Sequence, residues 1–317
     1  MEPLVLLSSA SCRPRDAHPV LTVGNFDGVH RGHRVLLDCL VARARALGRP
    51  AMVYTFHPPP AAVLGRQPHL GLLQVEDKVA LLGRLGVEQV CIERFSPALA
   101  ARSPAWFAGE VLGRRLQPSA MVVGHDFRFG TDRGGDHAAL TAHLPGMPVE
   151  VVPPLVLEGE IVSSTRVRAC LLAGRVGEAT ALLGRPHFLR GTVVPGDRRG
   201  RELGFPTANL LPDTELLPAG GVYAGWAQVD GGEPCQAVTN LGARPTVGGG
   251  GLHVEVHILA PEGVIGADAL YGREVKIHFI RRLRGEVRFP DLPALVAQIH
   301  EDIAAARASL GAPPDPW

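Results

Sequence analysis

Two different periods of apolar and polar residues divide the chain. Up to about residue 180, short apolar runs (PVLTVG, AMVYTF, VEQVCIERF, SAMVVGHDF) alternate with stretches in which apolar residues return every three or four positions. The longest such stretch, RGHRVLLDCLVARARALG, places Val35, Leu36, Leu40, Val41, Ala44 and Leu47 at helical spacing and stops at Gly48. VEDKVALLGRLG repeats the pattern. Strand, helix, strand in this rhythm predicts a parallel sheet with helices on both faces, with ligands bound at the carboxyl ends of the strands. Beyond about residue 185 the period falls to two. GVYAGWAQV, CQAVTNLG, LHVEVHIL and EVKIHFI alternate between Gly- and Pro-rich turns, which predicts an antiparallel barrel or sandwich. An amphipathic helix, DLPALVAQIHEDIAAARASLG, closes the chain. LLGRPHFLRG is the natural boundary, giving domains of 1–183 and 184–317, and VGGGG at 247–251 reads as a mobile loop. No internal repeat relates the halves.

Composition then removes several classes. The 317 residues are 46% apolar and 20% charged, enough for two packed cores. A net charge of +1 and a pI near 7.8 give no nucleic-acid or membrane footprint. Only Lys78 and Lys276 are lysines and the other 30 cationic residues are arginines, so phosphate chemistry is expected to rest on Arg, His, backbone amides or a metal. Five scattered cysteines without a C-x-x-C pair suit a reducing compartment. MEPLVLLSS lacks the basic segment and length of a signal peptide, and no apolar stretch approaches the ~18–20 residues needed to span a bilayer. A soluble cytoplasmic protein is expected; oligomeric state is not readable.

GNFDGVHRGH at 24–33 follows an apolar run and opens a helix. His30 and His33 stand at i and i+3, so both imidazoles share the first turn with free backbone N–H groups, which suits an anion and above all a polyphosphate. Gly32 lets that group approach, while Asp27 is alternatively a simple helix cap. In VSSTRVRACLL a helix capped by Ser163, Ser164 or Thr165 carries Arg166 and Arg168 in its first turn, where cations oppose the helix dipole by roughly 0.3–1 kcal/mol each. A bound anion would remove that conflict. VVGHDFRFG ends a strand with a carboxylate and two aromatics, Phe127 and Phe129, which either flank a planar ligand or fill core.

In the second half, GTVVPGDRRGRELGFPTANL is glycine-rich but holds no G-x-x-x-x-G-K-[ST]. Neither G-x-G-x-x-G nor G-x-S-x-G occurs in the chain, so a P-loop kinase, a common dinucleotide dehydrogenase and an α/β-hydrolase lose support. Thr207 and Asn209 lie on one face of an extended segment and offer hard oxygens for Mg²⁺ shared with nucleotide phosphates, or else form a turn. In LHVEVHIL, Val254, Val256 and Ile258 face one way. His253, Glu255 and His257 face the other, as a solvated stripe or, in a cleft, as a carboxylate able to take a proton.

GNFDGVHRGH, VVGHDFRFG followed by RGGD, and SSTRVR, in this order and spacing, closely resemble the FMN adenylyltransferase module of bacterial bifunctional riboflavin kinase/FAD synthetases. That module belongs to the nucleotidylyltransferase superfamily marked by H-x-G-H. GRELGFPTANL, GVYAGW, NLGARPTV, VEVHIL, LYGREVKIHF and RLRGEVRFPDLPALVAQIHEDI resemble its riboflavin kinase module. The resemblance implies a Rossmann-like first domain and a six-stranded antiparallel barrel with a closing helix. It implies that His30, His33 and Arg168 are catalytic in adenylyl transfer, with Gly24, Asn25, Asp27, Ser164 and Thr165 at ATP and Asp126 and Phe127 near FMN. In the kinase it implies Glu255 as general base, Gly196, Gly200, Gly204, Thr207 and Asn209 at ATP, and Mg²⁺ on Thr207 and Asn209. Riboflavin, FMN, FAD and ATP would be substrates or products, with Mg²⁺ at both sites and no nucleic acid or membrane as partner. One departure is Pro59, where the family pattern T-F-x-P-H-P has histidine; His57 stands two positions earlier. The alternatives are another nucleotidylyltransferase, acting on nicotinate nucleotide or phosphopantetheine, and a non-enzymatic flavin sensor.

Overall fold

The computed structural model describes residues 2–11, 18–65, 70–196, 204–214, 216–243, 252–259 and 270–314. Gly200 and the VGGGG segment lie outside them. The chain divides into two compact units, Met1–Ser163 and Ser164–Trp317. The helices Ser164–Leu172 and Val176–Leu183 therefore fall in the second unit, whereas the boundary read at 183/184 assigned them to the first.

In the first unit, VLTV at 20–23 is buried at every position, as a strand covered on both faces requires. β1 (Leu4–Leu6), β2 (Val20–Val23), β3 (Ala51–Phe56), β4 (Gln89–Glu93), β5 (Ala120–Gly124) and β6 (Val149–Val152) form one sheet in the order β1-β4-β3-β2-β5-β6. Every pairing is parallel. The order reverses between β2 and β5, and a crevice at such a switch point is where open α/β sheets take ligands. The helix Arg31–Leu47 follows β2 and ends on Gly48, whose φ of 60° is left-handed as its role as cap demands. Its core-facing stripe is Leu37, Leu40 and Ala44, while Leu47 is exposed; the register differs slightly from the apolar repeat read above. A short hairpin, β7 (Val156–Leu157) with β8 (Glu160–Ile161), ends this unit.

The second unit is a closed barrel of β9 (His187–Val194), β10 (Ala208–Pro212), β11 (Gly221–Val229), β12 (Cys235–Ala243), β13 (Leu252–Ile258) and β14 (Glu274–Arg284). All pairings are antiparallel, in the order β10-β13-β12-β11-β14-β9, closing back on β10. This decides between barrel and sandwich, and it turns HFLRG, read as a boundary, into a barrel strand. Alternation sorts the faces: Val254 and Val256 are buried beside Leu241 and Thr239, as the period of two predicts. Gly225 is pressed against β14, where a Cβ would strike the His278 carbonyl. The closing helix, Leu292–Ser309, starts under an Asp291 cap that accepts the Ala294 N–H at 2.8 Å. It packs Ala306 on Ala224 and Trp226, and Asp302 receives a forked bond from Arg284 at 2.8–3.1 Å.

Two histidines sit in this unit's interior layers. His187 stacks near Phe279 at 6.1 Å and His278 lies 5.5 Å from Phe188. Burial, reinforced by Arg185 and His278 at His187 and by Lys276 and Arg185 at His278, lowers both pKa values to about 3. The folded imidazoles thus refuse protons that the unfolded ones accept below about 6.5, so stability is lost as pH falls from there toward 3. At pH 5 each should cost about 2 kcal/mol relative to neutral pH. Guanidinium unfolding at pH 7 and pH 5 should show that loss, and His187→Phe should remove roughly half of it.

Candidate active sites

β2 ends at Val23, and Gly24 extends the ladder by donating its N–H to the Tyr54 carbonyl at 3.0 Å. The chain then turns through Phe26 (φ 49°), Gly28 (82°) and Val29 (41°). A β-branched valine in the left-handed region is strained by about 1–3 kcal/mol and persists only where packing holds it. Phe26 and Val29 are both buried. The loop's shape is therefore enforced from below.

The helix that follows is capped by its own histidines. His30 occupies the cap and its Nδ1 accepts the His33 backbone N–H at 3.3 Å, while His33 Nδ1 accepts the His30 N–H at 3.3 Å. This is a reciprocal capping box made of imidazoles, where Ser or Thr with Glu is usual. The rings stack at 3.6 Å with 15° between planes. Because each Nδ1 accepts, the proton of each neutral ring sits on Nε2, which becomes a donor. The surrounding protein, then His30, then Lys78 hold the His33 pKa well below its ordinary value. His33 is a neutral N–H donor at pH 7. A Cβ at Gly32 would lie 3.2 Å from the His30 ring and 3.3 Å from the Val162 carbonyl, so glycine is needed for the turn to seat.

Asp27 does not cap this helix. Its Oδ1 accepts the Leu72 N–H at 2.9 Å and fastens the 70–72 segment to the loop. Across the switch point, Gly124 ends β5 and Asp126 follows, exposed, with Oδ1 4.0 Å from His125 Nδ1. Phe127 corrects an expectation. Its side chain belongs to the core, stacked 5.5 Å from Phe129, which in turn lies 5.7 Å from Phe107, so the ring presents no open face to a flavin. His57 is exposed and donates its backbone N–H to the Glu93 carbonyl, and Pro59 caps a one-turn helix, Pro60–Leu64. Ser164, Thr165 and Arg168 lie on the first two turns of the helix Ser164–Leu172, which has no acidic residue in its first turn.

One residue of the first site escaped the sequence reading. Lys78, on the helix Val75–Arg84, is buried and reaches the loop with Nζ 3.2 Å from the Asn25 carbonyl and 3.2 Å from Thr55 Oγ1. Its rarity was the available signal: a chain with 30 arginines kept a lysine there.

On the barrel, register brings the second set together on the outer face. Glu255 pairs with Asn209 of β10 on one side and Asn240 of β12 on the other. His253 Nε2 lies 2.8 Å from Glu255 Oε1. His257 turns instead to the Pro206 carbonyl at 2.8 Å and, with Phe205 6.0 Å from its ring, anchors the segment carrying Thr207. Gly196 presses on Asn209, whose carboxamide a Cβ there would hit. Asn209 Oδ1 is buried without a hydrogen-bond partner, an oxygen oriented for something other than protein. Gly204 adopts a φ of 83° just before the Phe205–Thr207 segment. Asn209 and Glu255 are thus brought together by strand pairing, with Thr207 just before β10; Gly196 touches Asn209, and Gly204 lies on the chain leading to Thr207.

The first unit is thus a parallel α/β sheet with an imidazole-capped helix after its central strand, and the second a small barrel bearing a carboxylate among neutral oxygens. Residues 12–166 match the family model for FAD synthetase and residues 183–310 the model for riboflavin kinase. A Pseudomonas fluorescens protein called bifunctional riboflavin kinase/FMN adenylyltransferase is 40% identical over 95% of this chain and 96% of its own. The Escherichia coli K12 protein of that name is 38% identical, over 92% and 93%. A crystal structure described as a macrolide-efflux protein from Streptococcus pneumoniae superposes with a TM-score of 0.86 at 30% identity, over 97% of this chain and 99% of that one. Among the described residues no helix is long and apolar enough to cross a membrane. The chain belongs to the family of bifunctional riboflavin kinase/FMN adenylyltransferases.

The imidazole geometry has a direct spectroscopic consequence. The ¹⁵N shifts of both rings should report the Nε2–H tautomer at pH 7, and His33 should protonate only well below the pH at which an ordinary imidazole does. Titration of His33 near 6.5 would contradict it.

Proposed function

We infer that this chain makes FMN and then FAD. In the barrel unit the ribityl 5′-hydroxyl of riboflavin attacks the γ-phosphorus of ATP, the proton passes to Glu255, and ADP leaves. In the first unit a phosphate oxygen of FMN attacks the α-phosphorus of a second ATP, forming FAD and releasing pyrophosphate. The observation that carries the reading is the presence, in one chain, of an imidazole pair on an anion loop and a carboxylate flanked by two asparagines. Both reactions are in-line transfers without a covalent enzyme intermediate, so positioned donors and charge supply the catalysis.

In adenylyl transfer, His30 and His33 act as N–H donors to the oxygens that gather charge at the α-phosphorus. Gly24, Asn25 and Asp27 shape the loop for the phosphates. By family resemblance Ser164, Thr165 and Arg168 serve the β- and γ-phosphates and Asp126 the joining phosphates or flavin. In the kinase Thr207 and Asn209 would hold Mg²⁺, for which the unpartnered Asn209 Oδ1 is a fitting hard donor. When bound, the ion neutralises phosphate charge. By family resemblance Gly196, Gly200 and Gly204 serve the nucleotide. Substrates are small molecules, and the free thiols of Cys39, Cys91, Cys170 and Cys235 suit a reducing cytoplasm.

Incubation with riboflavin, ATP and Mg²⁺, followed by chromatographic separation of flavins, tests the scheme. Glu255→Gln should lower FMN formation by about 10²–10⁴-fold and leave conversion of supplied FMN to FAD nearly intact. His30→Asn, which keeps a capping side chain, should lower FAD formation by about 10²–10³-fold and spare the kinase. Loss of both activities in either folded variant would contradict independent sites, as would FAD formation untouched by His30→Asn.

A further inference from the structure

The buried ammonium beneath the imidazole loop has no part in the scheme above. Lys78 lies only 8% exposed, and its Nζ donates to the Asn25 carbonyl and to Thr55 Oγ1, each at 3.2 Å. Thr55 Oγ1 itself donates to the same Asn25 carbonyl at 3.3 Å. Two donors from β3 and the helix Val75–Arg84 therefore converge on one carbonyl of the loop. An ammonium buried at this depth costs several kcal/mol in desolvation unless partners offset it, and a methionine would fill similar space without that cost. Its three-donor, compact head also fits between two closely spaced oxygens, where a planar guanidinium would not.

We propose that Lys78 is a positioning residue for adenylyl transfer. It pins the Asn25 carbonyl down toward the sheet, so that the loop presents N–H groups and imidazole Nε2–H donors, not a carbonyl lone pair, to the nucleotide phosphates. It also supplies the fixed positive charge that the neutral His33 does not. Rotation of the Asn25 peptide would place a carbonyl oxygen among anionic phosphate oxygens; the Lys78 and Thr55 bonds oppose that rotation. The proposal rests on the reading that this loop handles ATP phosphates.

The charges facing this pair are few. His33 is faced by His30 from its own helix and by Lys78 from the helix Val75–Arg84, with the Phe26 ring 5.1 Å away. Lys78 is faced by Asp27 from the loop, which favours its charged form against the opposing effect of burial. Asp77, also buried, is its neighbour on the same helix. Lys78 disfavours a second positive charge on His33. Removing it should let His33 protonate at higher pH, and since a proton on Nδ1 would destroy the acceptor that receives the His30 N–H and so break the capping pair, the acid limb of adenylylation should move up in pH.

The test uses the full chain with FMN and Mg²⁺-ATP, with its own kinase reaction as internal control. Lys78→Met should reduce kcat for FAD formation by about 10²-fold, by analogy with loss of one preorganised donor, and leave FMN formation from riboflavin within about twofold. Lys78→Gln keeps an N–H donor without the charge; it should recover part of kcat but retain the upward shift of the acid limb. A merely structural staple would lower the amount of active enzyme and leave that pH profile in place, and this result would overturn the proposal. So would unchanged FAD kinetics in Lys78→Met. If neither variant folds, the ¹⁵N titration of His33 in the unaltered protein decides, since a ring that protonates near 6.5 is not held neutral by Lys78. If His30→Asn as well as Lys78→Met spares FAD formation, the loop's assignment to ATP is what fails.

Discussion

A helix that begins at the end of a buried central strand must satisfy its first N–H groups without turning them from whatever enters the crevice. Here two imidazoles do this for each other. Reciprocal capping uses up both Nδ1 atoms as acceptors, and that commitment aims both Nε2 protons away from the helix's own backbone. Other features of the first site serve this arrangement. Gly32 gives the rings room, and Phe26 and Val29 hold a strained loop in place. Asp27 ties the loop to Leu72, and Lys78 ties it to the sheet. A neutral, preorganised donor pair suits a reaction in which charge builds on phosphate oxygens, because no proton need move for the donors to act.

The barrel builds its site from strand alternation. With Val254 and Val256 committed to the interior, Glu255 must face outward, and register places it level with Asn209 and Asn240. A slip of one residue would bury the carboxylate and expose the valines, so the hydrophobic core itself fixes where Glu255 stands. The neighbouring histidines divide the remaining work: His253 meets the carboxylate, and His257 holds the segment that carries Thr207.

Much of this was legible because period and position coincide. The four apolar runs of the first half are β2 to β5, and the last four strand patterns are β11 to β14. The places of both histidines at the end of a strand and of Asn209 and Glu255 on one strand face were legible, because short motifs there follow the strand pattern. Other elements were not, for identifiable reasons. β1 is a three-residue edge strand with Leu4 and Val5 exposed, too short to show a period. The segment Phe107–Leu116 winds as a π-helix, so its apolar positions fall out of the 3.6-residue rhythm. HFLRG looked like a linker because it follows a helix and contains polar residues. Its histidine is nonetheless buried in the barrel, where its neutrality is imposed by surroundings that sequence does not display. Phe127 was ambiguous for a similar reason: an aromatic beside a strand end serves ligand or core depending on a turn of the backbone, and here the turn points it inward.

Lys78 and Lys276 extend the same lesson to composition. In a chain that uses arginine nearly everywhere, its two lysines take up positions defined by the shape of the cation. One inserts its head between a carbonyl and a hydroxyl; the other rests 3.8 Å above the Phe188 ring, close to the buried His278. Arginine spreads its charge over a plane and prefers forked partners, as Arg284 finds in Asp302. A point charge under a loop or over a ring is a different device, and an ammonium performs it in less volume. The scarcity of lysine, on its own a statement about coding bias, therefore becomes informative once each lysine is placed. In the first unit neutral imidazoles cap the helix and one compact cation is buried against the loop before it, and that division follows from how few shapes of charge fit beneath a capped helix.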